Sequence, residues 1–75
     1  MRFVVLAFGA TVLPSGITLG SVDTATSVQD RALRDGTFDG PASALTGIQV
    51  LDASDLDDVL DRLPATGTFE VRPAW

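Results

Sequence analysis

Only one stretch of this chain carries helical periodicity, so most of its other apolar residues must be buried as strands. Leu56, Val59, Leu60 and Leu63 recur at i, i+3, i+4 and i+7, which gathers them on one face of an α-helix. Ser54 is the expected N-cap. Asp55, Asp57 and Asp58 place negative charge in the first turn, where the helix dipole favours it. Arg62 sits near the C-terminal end, and Pro64 stops the helix.

The remaining apolar segments are short and alternate. Arg2 to Phe8 is a β-branched and aromatic run ended by Gly9, which reads as a buried strand. Leu13-Pro14-Ser15-Gly16 is a turn signal. Ile17 to Gly20 and Thr24 to Val28 read as strands with one wet face. Asp30 to Gly40 is a polar loop, or a short hairpin around Arg34-Asp35-Gly36-Thr37, because Asp-Gly suits a type I′ turn. Leu45 to Leu51 and Thr68 to Arg72 complete the set. The expected fold is a single α+β domain over residues 1–75. Its antiparallel sheet has about four to five strands, with one C-terminal helix.

A chain of 75 residues buries only ~60% of its unfolded surface, and folds of this size usually lean on disulfides, a metal or a partner subunit. With no Cys and no His, disulfides, thiolate or imidazole metal sites and thiol catalysis are excluded. Oligomerisation is the support that remains, and a homodimer is expected. Nine Asp and one Glu against five Arg, with no Lys, give a net charge of −5. That balance argues against nucleic acid and against a polybasic membrane anchor. The apolar stretch from Phe3 to Leu13 is far short of the ~20 residues of a transmembrane helix. It also makes a poor secretory signal, with one basic residue ahead of it and no clean small-x-small cleavage site. A cytoplasmic location is expected.

The order of an Asp39-Gly40-Pro41 loop, an apolar strand, the Asp55-Leu56-Asp57-Asp58 helix start and a final Glu70-Val71-Arg72-Pro73 strand resembles the YCII-related (DGPF-motif) family. Arg2 to Phe8 and Thr24-Ala25-Thr26 match its first and middle strands, so the resemblance spans nearly the whole chain. It implies a dimeric α+β barrel built on a ferredoxin-like fold, in a family linked to transcriptional regulation beside sigma factors. The chain departs from the pattern in two places. Ala42 stands where the motif has Phe, and only eight residues separate Phe8 from Ile17, where the family has its first helix. A crossover between parallel strands normally takes a dozen or more residues, and eight extended ones reach at most ~26–29 Å. The first two strands should therefore form an antiparallel hairpin or a reduced crossover with one sheet face uncovered. The His that the resemblance would offer as acid or base is also missing.

Candidate site residues are few, and none is expected to be catalytic. Asp39 could orient a small ligand or act as a base, although Asp before Gly is also what a turn selects. Arg31 and Arg34 could grip a carboxylate or phosphate, or simply pair with Asp30 and Asp35. Asp52, Asp55, Asp57, Asp58 and Asp61 lack the loop glycine and late Glu of a calcium loop, so they read as a solvated helix face and no metal or cofactor is expected. Ser15, Thr18, Ser27 and Ser43 have no base partner in the pattern. Phe3, Val5, Ala7, Ile48 and Val50 are expected to form one apolar sheet face covered by a second subunit, with Trp75 packing across the same interface. The reading is a non-enzymatic association domain. Its alternative is a small-molecule binder or degenerate enzyme that uses Asp39 with Arg31 or Arg34.

Overall fold

The computed structural model describes residues 1–38 and 40–75, apart from the side chains of Pro41 and Ala42. The strands are β1 (Arg2–Phe8), β2 (Ile17–Thr18), β3 (Thr26–Gln29), β4 (Ala32–Asp35), β5 (Leu45–Asp52) and β6 (Thr68–Ala74). The helix α1 (Leu56–Arg62) lies between β5 and β6, and short 3-10 turns occupy Val22–Thr24 and Gly40–Ala44. Four strands make the main sheet in the order β2-β5-β1-β6, with every neighbouring pair antiparallel. This is the strand arrangement of a ferredoxin-like α+β fold with its first helix missing.

The order settles the path between the first two strands. Because β5 lies between β1 and β2, the two run parallel, and residues 9–16 form a crossover rather than a hairpin. The segment takes over part of the missing helix's work. Leu13 packs against the core, and its Cδ1 stands 3.5 Å from where a Cβ on Gly47 would lie. The Gly9 amide donates to the Ala44 carbonyl at 2.8 Å, and side-chain hydrogen bonds add to this anchor. Gln49 Nε2 donates to Ser15 Oγ (2.9 Å), the Thr68 amide donates to Thr11 Oγ1 (2.8 Å), and Thr46 Oγ1 donates to the Thr11 carbonyl (3.4 Å).

The core lies between the sheet and α1. Phe3, Val5, Ala53 and Val59 are buried together, and Leu51, Leu63, Phe69 and Val71 pack around them. Each fully buried Val contributes roughly 1.5–3 kcal/mol of apolar burial. The helix begins one residue later than the composition suggests. Asp55 is the N-cap, accepting from the Asp58 amide at 2.9 Å, while Asp58 Oδ2 accepts from the Ser54 amide at 3.0 Å. Only half of the expected helical stripe reaches the core: Val59 is buried and Leu63 half-buried, but Leu56 and Leu60 remain exposed.

The hairpin also sits elsewhere than the Asp35-Gly36 pair suggests. β3 and β4 form a separate two-stranded sheet turned at Asp30-Arg31, whose φ values of 50° and 68° meet the type I′ requirement without glycine. Gly36, at φ 90°, instead marks the end of β4, donating its amide to the Ala25 carbonyl at 2.8 Å.

Candidate functional site

Register decides which apolar residues share a face. Phe3 pairs with Leu51 and Pro73, Val5 with Gln49 and Val71, and Ala7 with Gly47 and Phe69. These rows face α1 and the Leu13 segment. Val4 pairs with Val50, Leu6 with Ile48, and Ile48 in turn with Ile17. Side chains alternate across a strand, so this second set lies on the opposite face. The expected single face of Phe3, Val5, Ala7, Ile48 and Val50 is therefore split in two. Phe3 and Val5 are core residues covered by the chain's own helix, and a second subunit could reach them only by displacing α1.

The face turned away from α1 is the open one. Its middle is apolar: Val4, Leu6, Phe8 and Ile48 are half-buried, while Val50 and Ile17 are 60% and 67% exposed. Polar groups frame it. Arg72 Nε donates to Glu70 Oε2 at 2.8 Å along the edge strand β6, and Arg2 stands in register with Asp52 at one end. An apolar centre inside a polar rim is the ordinary anatomy of a protein–protein interface. Periodicity marked these residues as strand, but the pairing needed to place Val4 and Leu6 beside Val50 and Ile48 comes only with the fold.

The proposed ligand residues lie in the hairpin region. Arg31 occupies the turn and is exposed. Arg34, on β4, holds its guanidinium 5.7 Å from the Phe38 ring centroid and donates to the Thr37 carbonyl at 3.5 Å. Among the described residues the ion pairs are Arg62–Asp58 and Arg72–Glu70, so Asp30 and Asp35 are not the partners of these arginines. A cleft of about 290 Å³ beside Arg34 is lined by Ser27, Gln29, Ala32, Leu33 and Phe38. Asp39 lies outside the described residues. Gly40 beside it, at φ 80°, takes a backbone conformation that glycine adopts without strain, and Ser43 Oγ donates to its carbonyl at 2.7 Å.

Asp55 and Asp58 serve the helix. Asp58 accepts from Ser54 and makes a two-point contact with Arg62 Nε (3.2 Å) and Nη2 (2.8 Å). The Ser54 amide first, and the Arg62 guanidinium second, hold its carboxyl below the usual carboxylate range. Among the described residues no three Asp, Glu, His or Cys groups converge on a metal position. Ser27 Oγ is likewise engaged, donating to the Gly36 carbonyl at 2.6 Å. Trp75 is 95% exposed. A shallow cavity of about 530 Å³ where Phe8 to Val12 meets Pro64 to Thr68 offers only hydroxyl and backbone polar groups. No helix among the described residues is long and apolar enough to cross a membrane.

Comparison with protein-family models, with curated proteins and with solved structures found no match.

Proposed function

We propose that this chain is a non-enzymatic association domain that forms a homodimer through the open face of its main sheet. One observation carries the reading: the main sheet has the helix on one face, while on the other, among the described residues, Val4, Leu6 and Ile48 are only half-buried and Val50 and Ile17 are exposed. Layered folds bury both the helix-facing and the sheet-facing apolar surface, and a second copy supplies the missing layer. A two-fold interface needs a self-complementary patch, and an apolar strip crossed by its own polar rim meets that need. The resemblance to YCII-related proteins implies a sheet-to-sheet dimer as well. Val50→Lys tests it, because Val50 is mostly exposed in the single chain. The variant should keep the circular dichroism of the wild type and sediment as a monomer at concentrations where the wild type is dimeric. A variant that dimerises as tightly as the wild type would remove the sheet face from the interface.

A second reading rests on the cleft beside Arg34, where a guanidinium, Gln29 and the Phe38 ring meet. It would make the hairpin a receptor for a small carboxylate or phosphate, gripped by the Arg34 guanidinium. Calorimetric titration of wild type and Arg34→Ala with acetate, citrate and phosphate decides it; no heat from the wild type rejects it.

A further inference from the structure

The β3–β4 hairpin is built like an arm. Among the described residues, every side-chain hydrogen bond made by residues 26–36 stays within residues 25–37. Among the same residues, β3 and β4 pair only with each other. The radius of gyration is 13.7 Å, against ~11 Å for a compact domain of this length, and the molecule measures 40 × 27 × 18 Å. A two-stranded hairpin alone is marginally stable at best in water. On one face of this one, Val28 and Leu33 stand opposite each other in register, 54% and 73% exposed. An apolar cross-strand pair is an odd choice for a surface that meets only solvent.

The main sheet by itself is also small for a stable dimer. Four strands spaced ~4.8 Å apart and about seven residues long at ~3.4 Å each project roughly 450 Å². The true figure is smaller, because β2 contributes only two residues. A standard interface buries ~800 Å² on each partner, so a sheet-only contact falls short even after side-chain relief is added.

We infer that the hairpin is a dimerisation arm whose Val28–Leu33 face packs on a second copy of this chain, completing the interface begun by the sheet. This inference rests on the association reading above. The arm explains an apolar pair on an exposed ribbon face, and the second copy provides the packing that the Val28–Leu33 face lacks among the described residues, where Ser27 on the other face is buried. The same contact supplies the area that the sheet lacks.

The test uses the whole chain with Val28→Thr and Leu33→Thr together, which puts a strand-favouring β-branched residue at both positions. Sedimentation equilibrium should show the dimer dissociation constant raised by at least ~10-fold, since both hairpins lose apolar contact. In wild type, amide exchange over residues 26–35 should slow as protein concentration rises. A double variant with an unchanged dissociation constant, while Val50→Lys is monomeric, overturns the arm and leaves the sheet interface standing. Weakening by the hairpin variant alone, with Val50→Lys unaffected, supports the arm and overturns the sheet reading. A wild type that is monomeric at every concentration overturns both.

Discussion

Val59→Ala is the sharpest probe of how this small sheet is held. Val59 is fully buried on α1, packed with Phe3, Val5 and Ala53, so its side chain is the main anchor of the helix. Trimming it removes about two methyl equivalents, worth ~0.8 kcal/mol each in transfer. The void, on the order of 45 Å³ if the helix does not collapse, adds ~1 kcal/mol. The expected loss is therefore ~2–3 kcal/mol. A chain of this length has a total stability of only about 4–11 kcal/mol. Leu60→Ala is the natural control, because Leu60 is 50% exposed on the same helix and its truncation should cost ~1 kcal/mol or less. Urea unfolding followed by far-ultraviolet circular dichroism is the suitable assay; Trp75 is too exposed for its emission to report burial. All variants are compared at one protein concentration, since the proposed dimer would add to apparent stability by mass action. With a slope near ~1 kcal/mol/M, the Val59→Ala midpoint should fall by roughly 2 M. If Val59→Ala costs no more than Leu60→Ala, the core is not between α1 and the Phe3–Val5 face.

Three further outcomes are expected. Asp58 has a folded pKa below its ordinary 3.8, so its contribution is complete above that value and lost as pH falls through the lower folded one. Asp58→Asn should lower the urea midpoint at pH 6, with wild type and variant converging once pH drops well below 3.8. Thr11→Val removes the hydroxyl that accepts from the Thr68 amide and should cost ~1 kcal/mol by thermal unfolding, loosening the crossover where it meets β6. Arg31→Gly relieves a non-glycine residue at φ 68° and should raise hairpin protection in amide exchange, stabilising the turn by up to ~1 kcal/mol.

Much of the fold could be read from short patterns. The alternation in β1, β5 and β6 and the 3.6 period of Leu56 to Leu63 marked the elements that carry the core, because burial on one face imposes those periods. The misplaced details have local causes. Asp35-Gly36 is the better turn pair on propensity, yet the chain turns at Asp30-Arg31; the register of four cross-strand pairs outweighs the cost of two residues at positive φ. The N-cap moved from Ser54 to Asp55 because both side chains can accept from the first turn, and Asp58 secures Ser54 by accepting its amide. The candidate interface was harder. Period-two alternation says that Phe3 and Val4 face opposite ways, but not which of them shares a side with Val50. Only the Val4–Val50 pairing shows that the exposed apolar face excludes Phe3 and Val5.

In the proposed dimer, a second copy covers both the open sheet face and the Val28–Leu33 face of the hairpin. Sedimentation equilibrium of the wild type across a micromolar to millimolar range tests this most directly. The expected result is a reversible shift from the 7.8 kDa monomer to twice that mass as concentration rises. A chain that stays folded at 7.8 kDa throughout would contradict it.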